Sequence, residues 1–511
     1  MPTFVTLAAA RIQPWLLRTP DLKGMRGASL LLAESTDPET ISTLSLRGGA
    51  TAQDAGRISG VVALEFETQA QATAAIPRVL DFLVDRLPGV EWEGWWCTAP
   101  NYSTADAAMR AGGARHDHGS IQRMPALRDF TVARACTCQR EPARPYAGQH
   151  GEDETAVARK RLGPDCHARD TQQRRERKLS VNGDGIVARI PGRLPVDFDE
   201  LARLGGVGIS DQPKSLGRKG SRNHLATIVA DGNAIGGLFD LLARSSRTLK
   251  VEGLQAALVK ALNTAVEEAV VQSARAVSGD DCAIMGVIPH YMGGDDIFVS
   301  VPAVSAWRFC ARLAETFTAA FDDARAGAAA SLQAISVSPE ADQQIAFIKQ
   351  ALGHLSLGIG MCIAHASHPI SEAHEHAEAA MKEAKKQGKG AEGWIGWVDL
   401  TAGPPQPSAT WHGTIPTATV HDELHGGRQL PDVFALGPSA RSRLTTILRD
   451  QRDSAAVENW GQRVGWPWPN VPGRVPTPYE DLGTALSRAR WAEAAATEDT
   501  HQQSQSSEAN T

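Results

Sequence analysis

The chain has 511 residues, a formal net charge of −6 and 42% hydrophobic residues, the balance of a soluble globular protein with room for about three domains. That net charge excludes coating nucleic acid through bulk electrostatics, so any RNA or DNA contact must use a local basic patch. No window of about 18 apolar residues is present, which excludes a membrane-spanning helix, and the seven scattered cysteines favour a reducing cytoplasm over a disulfide framework.

The first residues lack a basic n-region and begin directly with a strand at Phe4–Ala10, so no signal peptide is expected. Arg11-Ile12-Gln13 follows, and Leu22 to Leu32 opens a short helix with Arg26 and Ser29 near its start. Val61–Glu67 alternates as a strand. Ala70–Leu87 has helical periodicity, with Ala74, Ile76, Val79, Leu80, Leu83 and Val84 on one side. Pro77 lies inside that window and predicts that the regular helix starts there. Glu91–Cys97 is a Trp-rich strand. This order suits a small α+β layer with helices on one face of a sheet.

Residues from about Asn101 to Ser180 are polar and Arg-rich. Cys136-Thr-Cys138 and Cys166-His167 could supply four tetrahedral zinc ligands; the alternative is unpaired thiols. His116, Asp117 and His118 read as a polar loop without a role. The basic runs Arg174–Lys178 and Lys214–Arg222 read as solvated faces, with phosphate-backbone contact as the alternative.

Leu225–Ala230 is a continuous apolar run, the pattern of a doubly buried central strand, and it ends in Asp231-Gly232-Asn233-Ala234-Ile235-Gly236. An Asp at such a strand tip, followed by glycines, suits metal and phosphate, although the same residues also make an Asx turn. Val251–Val277 reads as a long amphipathic helix. Met285–Tyr291 and Ile297–Val301 then read as a hairpin joined at Gly293-Gly294-Asp295-Asp296, the glycines supplying positive φ. Two adjacent carboxylates at a tip repel one another unless a divalent cation sits between them and a phosphate.

A core-stripe helix follows from Val304 to Phe321, then a buried strand over Leu355–His365. A helix from Ile370 to Ala384 ends at Lys385-Lys386-Gln-Gly388, and Trp394–Leu400 closes the sheet. Gly403–Pro407 reads as a linker, about 436–496 as helical, and 497–511 as a disordered tail.

In a ferredoxin-like sheet the tip of the first strand lies beside the tip of the central hairpin. Asp231 would then face Asp295 or Asp296, the geometry with which carboxylates hold two metals about 4 Å apart for nucleotidyl transfer. Lys385 would complete the site by pairing with a triphosphate; the alternative is a solvated helix end.

These residues resemble the large, polymerase-like subunit of type III CRISPR effector complexes. The family has two palm domains separated by a zinc-binding module. Its GGDD is matched by Gly293, Gly294, Asp295 and Asp296, and its DGD-like motif in part by Asp231-Gly232-Asn233. A later strand and helix are matched by Ser356, Gly358, Ala364-His365 and Ala384-Lys385-Lys386. Arg11-Ile12-Gln13 and Arg26–Ser29 resemble the corresponding part of the first palm.

The resemblance implies an α+β architecture of two ferredoxin-like palms, a candidate zinc module between them, and a C-terminal helical domain. The boundaries expected are 1–105 for a non-catalytic first palm, 106–222 for the linker and zinc module, 223–402 for the second palm, 403–496 for the helical domain and 497–511 for the tail. It implies a cytoplasmic nucleotidyltransferase that makes cyclic oligoadenylates from ATP when a complex of CRISPR effector subunits and guide RNA captures target RNA. Asp231, Asp295 and Asp296 would be catalytic and hold magnesium or manganese. Gly232, Asn233, Gly236, Gly293, Gly294, Ser356, Gly358, Lys385, Arg26 and Ser29 would line the nucleotide site, and Cys136, Cys138, Cys166 and His167 would hold zinc.

Three departures from the family pattern follow. The first palm starts at about Phe4, so no HD-type DNase domain is expected. Asn233 replaces a second Asp, and the zinc residues lack regular CxxC spacing. Apart from these, Gly48-Gly49-Ala50-Thr51, where the first palm's hairpin tip is expected, has no carboxylate pair, which by the resemblance makes that palm a non-catalytic nucleotide-holding partner. Two other readings remain: a scaffold subunit that has lost catalysis, and a diguanylate cyclase, from whose GGDEF motif this hairpin departs at Asp296 and Ile297.

Overall fold

The computed structural model describes residues 1–19, 22–110, 118–123, 134–135, 142–145, 161–179, 186–204, 223–245, 249, 253–279, 282–334, 339–353, 355–390, 392–402, 412–450, 454–466, 481–489 and 491. The first sheet is built from β1 (Thr3–Ala10), β2 (Gly49–Thr51), β3 (Val61–Phe66), β4 (Glu91–Thr98) and β5 (His118–Arg123), in the order β2-β3-β1-β4-β5. All its ladders are antiparallel. Helix α1 (Leu22–Ser35) connects β1 to the β2–β3 hairpin, and α2 (Gln69–Arg86) connects β3 to β4. Period-2 alternation puts Val62, Leu64 and Phe66 with Val5 and Leu7 in the core that also takes Ile76, Val79 and Leu83 of α2.

Helix α2 does not wait for Pro77. Thr68 and Gln71 form a capping box, Thr68 Oγ1 accepting from the Gln71 amide at 3.3 Å and Gln71 Oε1 accepting from the Thr68 amide at 3.0 Å. This satisfies the first-turn donors. Pro77 falls on the exposed side, where water can meet the carbonyl left unpaired one turn earlier. Ala74 is exposed as well, and Ala72 takes the core position.

The glycines Gly48 and Gly49 are not the hairpin tip. Ala50 pairs with Glu65 and Thr51 with Leu64, so the ladder runs past them. The turn spans 52–60, with one 3-10 turn over Gln53–Ala55.

The second sheet comprises β6 (His224–Gly232), β7 (Ile288–Gly293), β8 (Asp296–Pro302), β9 (Leu357–His365), β10 (Trp394–Asp399) and β11 (His412–Pro416), in the order β7-β8-β6-β9-β10-β11. Its first four strands repeat the ferredoxin-like order of the first sheet. Between β6 and β7 run α5 (Ile235–Ser245) and α6 (Leu254–Ser278). Between β8 and β9 run α7 (Ala306–Ala334) and α8 (Pro339–Gly353), the latter not anticipated from the sequence. Helix α9 (Ile370–Gln387) makes the crossover between β9 and the parallel β10.

Strand β6 is buried on both faces, as its continuous apolar run requires. Ala226, Ile228 and Ala230 face a core with Leu258 and Leu262 of α6 and Trp307, Phe309 and Phe317 of α7. Val229, with Phe298 and Cys362 of its neighbours, faces the other way, into a core shared by Ala373, Ala377 and Met381 of α9 and by Val5, Leu7 and Leu83 of the first half. The two halves therefore share apolar packing.

The sheet does not close at β10. Its outer edge would leave a row of unpaired backbone groups, and β11 covers it, pairing Ile395 with Ile415. Helices α10 (Thr417–Leu424), α11 (Pro438–Asp450) and α12 (Ser454–Val464), with the helical residues 481–489, add Leu424, Leu444, Trp460, Leu486 and Trp491 to the same core. The Gly403–Pro407 linker, the 497–511 tail and the Lys214–Arg222 basic run lie outside the described residues. Among the described residues, no helix is long and apolar enough to cross a membrane.

Candidate active site

The β7–β8 hairpin is tighter than the sequence suggested. Gly293 pairs with Asp296, leaving Gly294 and Asp295 as a two-residue turn. Only Gly294 has positive φ, at 65°, which fits the first central position of a type II′ turn. Gly293 instead lies against the Tyr291 hydroxyl. Asp295 is thus at the tip, and Asp296 is the first residue of β8.

Register brings the carboxylates together. Ile297 pairs with Ala230 across β8 and β6, so one step further Asp296 comes opposite Asp231. On the other side of Asp231 the partner is Gly358 of β9. A row Asp296–Asp231–Gly358 therefore crosses the sheet, and its members share a face. Asp295 completes the group through a hydrogen bond with Asp231.

The acids are strongly perturbed. Burial, the hydrogen bond to Asp231 and the charges of Asp231 and Asp296 push Asp295 up to about 7. Burial and the Asp231 charge push Asp296 up to about 6, against the opposing pull of Lys385, with Glu378 of α9 adding repulsion. Burial and the two hairpin carboxylates also raise the Tyr291 phenol. These are the shifts of crowded carboxylates not fully neutralised by cations.

Lys385, in the last turn of α9, supplies the positive charge that is present. Its Nζ makes an ion pair with Asp231 Oδ2 and donates to the Gly232 carbonyl at 3.0 Å. Its stem runs over Gly358, where an added Cβ would lie 2.4 Å from Lys385 Cγ and 3.0 Å from Cε. The site thus has a backbone slot for this side chain.

Asn233 is buried and turned to scaffolding. Its amide nitrogen donates to Ser356 Oγ at 2.9 Å and to the Glu392 carbonyl at 3.1 Å, and its backbone N–H donates to the Ser356 carbonyl at 2.8 Å. Gly232 is buried beside Ile235 and Asp295, and Gly236 is exposed in the first turn of α5. Arg26 and Ser29 lie on α1. Arg26 is buried, and its charge bears on His290 of β7.

Sequence reading missed Glu378 and Tyr291. Glu378 lies two turns before Lys385 on α9, a spacing that puts both on one face and was legible in principle. Tyr291 is flagged by nothing beyond its place next to the turn.

Oxygen-only donors of this kind fit a hard divalent cation such as magnesium or manganese. Among the described residues, however, no three His, Cys, Asp or Glu side chains are already set to hold an ion; Asp231 is engaged by Lys385 and by Asp295. Of the zinc residues, Cys136 and Cys138 lie outside the described residues. Cys166 and His167 open α4 (Pro164–Leu179), Cys166 buried and His167 half-buried.

Residues 224–392 match the family described as Cas10/Cmr2, second palm domain. No curated protein matches the chain. Among solved structures, a Csm1–Csm4 cassette in complex with AMPPNP is 13% identical with a TM-score of 0.49, over 96% of this chain and 69% of that one. The cassette in complex with cA4 is 12% identical with a TM-score of 0.47, over 98% and 69%, and Csm1 in T. onnurineus is 13% identical with a TM-score of 0.43, over 96% and 69%. Residues 224–392 thus carry the second palm domain of the Cas10/Cmr2 family.

Proposed function

We propose that the chain is a nucleotidyltransferase of type III CRISPR effector complexes that condenses ATP into cyclic oligoadenylates when the complex holds guide and target RNA. The observation that carries this reading is the convergence of Asp231, Asp295 and Asp296 at adjacent strand tips, where burial and then the neighbouring carboxylates raise two of the acids. A strand tip and a hairpin with no chemistry to perform gain nothing from three half-buried carboxylates that repel one another.

In this reading the carboxylates hold magnesium or manganese, which when bound would acidify a ribose 3′-hydroxyl and neutralise the α-phosphate and the departing pyrophosphate. Lys385 pairs with the triphosphate. Gly236, at the open start of α5, lets phosphate oxygens approach backbone N–H groups. Asn233 and Ser356 hold the β6 tip against β9, which fixes Asp231 relative to the hairpin. The first sheet, whose 52–60 turn carries Asp54 alone among carboxylates, serves as the non-catalytic partner that positions nucleotide.

The test is turnover of labelled ATP and GTP with magnesium or manganese, using the protein with its co-purifying subunits, with and without target RNA. RNA-dependent cyclic oligoadenylates, lost in Asp295→Ala/Asp296→Ala, are the expected result. GTP dimerisation would move the assignment to a diguanylate cyclase. No turnover of either nucleotide, with RNA and partners bound, would leave a scaffold.

A further inference from the structure

Asp231 is the one carboxylate of the three that carries a direct ion pair, and its partner is built in. The Lys385 ammonium reaches Asp231 Oδ2 and the Gly232 carbonyl from a helix on the sheet face. Its side chain is only 25% exposed. The path exists because position 358 has no Cβ. A lysine that merely solvated a helix end would need no such slot; its neighbour Lys386 is 77% exposed and pairs only with Glu383, at 3.8 Å.

We propose that Lys385 is a tethered cation that occupies the Asp231 seat of the nucleotide-free site and exchanges with a divalent metal ion. This rests on the two-metal reading given above. An ammonium and a divalent ion on the same Asp231 carboxylate repel each other and compete for its charge, so each weakens the other's hold.

The exchange has a direction. Leaving Asp231 costs Lys385 its counter-charge while the side chain remains partly buried, which opposes metal binding on its own. A triphosphate arriving with the metal offers the ammonium a new anion. Metal and nucleotide then favour each other's binding by the same factor, as linkage requires. The site is thereby kept from loading a metal ion before its nucleotide is present.

The test is manganese binding to the full chain, read from the electron paramagnetic resonance of free Mn2+, with and without a non-hydrolysable ATP analogue. Nucleotide-free Lys385→Gln is expected to bind Mn2+ about tenfold tighter than wild type. Gly358→Ala, which keeps the charge but blocks the slot, should shift the same way. Lys386→Gln should match wild type, and Asp295→Ala/Asp296→Ala should lose the site. The nucleotide should tighten Mn2+ binding more in wild type than in Lys385→Gln.

Equal or weaker Mn2+ binding by Lys385→Gln, with the double Asp variant still losing the site, overturns the tethered cation and leaves the metal reading standing. Binding that the double Asp variant does not affect, or none in any protein, overturns both. If Gly358→Ala does not fold, Lys385→Gln against Lys386→Gln decides.

Discussion

Asn233 donates its side-chain amide to the main-chain carbonyl of Glu392 at 3.1 Å, across 159 residues of chain. A carboxylate at this position has no proton to give a carbonyl. The departure from the Asp-Gly-Asp pattern is therefore matched to its surroundings: Asn233 ties the β6 tip to the segment entering β10 and to Ser356.

Asn233→Asp should accordingly weaken the fold without strengthening the metal site. It loses the donor to Glu392 and sets an anion beside that carbonyl, a cost of about 1–3 kcal/mol. The unfolding transition of the second half should fall by several degrees, and Mn2+ affinity should not rise. Tighter Mn2+ binding by the variant would mean that position 233 can serve as a ligand and would reverse the assignment.

A second prediction concerns acid stability where the two halves meet. His290 of β7 hydrogen-bonds Ser300 at 2.8 Å and stacks near Phe298, which in turn contacts His374 of α9. Burial, with the charges of Arg26 and His374, pushes His290 down to about 3, and burial also lowers His374. Between about pH 6.5 and 3 the unfolded chain binds a proton at His290 that the folded chain refuses. Stability is therefore full above pH 6.5 and falls as pH drops through that window, by at most about 1.4 kcal/mol per pH unit for this histidine. His290→Gln should flatten denaturant-midpoint profiles between pH 7 and 4.5. An unchanged slope would show that His290 does not carry the acid response.

The site's carboxylates were legible in the sequence because local rules place them. An apolar run ending in Asp231 and a turn glycine before Asp295 are signals within a few residues of the groups concerned. Lys385 was singled out as the partner of a triphosphate, but its partner in the structure is Asp231, 154 residues away, and no periodicity encodes that pairing. The same holds for Asn233, whose neighbours come from β9 and the approach to β10. Strand β11 was missed because HGTIP is too short to show alternation. Its reason for being a strand is the open edge of β10. The β2 error had a similar source, since Gly49, which read as part of a turn, was recruited into a ladder opposite Phe66.

A third prediction tests how the middle segment is anchored. Arg169 of α4 is fully buried, pairs with Asp165 at 2.8 Å, donates to the Trp15 carbonyl at 2.8 Å and lies over the Trp15 ring at 4.4 Å. Asp165 in turn accepts from the Trp15 indole at 3.1 Å. Arg169→Met leaves the buried Asp165 without its cation, a loss of about 3–5 kcal/mol. Hydrogen exchange over 164–179 should accelerate well before exchange in β6 does. Uniform acceleration across both sheets would instead make this cluster part of one cooperative unit.

The last prediction addresses what holds the C-terminal helix onto the second sheet. Arg488 is buried in an ion pair with Glu423 of α10, with its guanidinium 5.0 Å from the Trp307 ring and 5.7 Å from Phe434. Next to it the Trp397 indole donates to Ser487 at 2.9 Å, and the Trp491 indole donates to Asp399 at 2.9 Å. Arg488→Met fills the aromatic box with a side chain of similar length but leaves the Glu423 carboxylate buried and alone, so about 3–5 kcal/mol should be lost. Removing the second charge as well, in Arg488→Met/Glu423→Leu, should restore most of that loss, because the indole bonds are untouched and the apolar packing remains. Limited proteolysis between 481 and 491 reads both variants. Fast cleavage of the single variant and near wild-type resistance of the double one are expected. Equal sensitivity of the two would show that the ion pair itself, more than the burial around it, keeps this helix on the sheet.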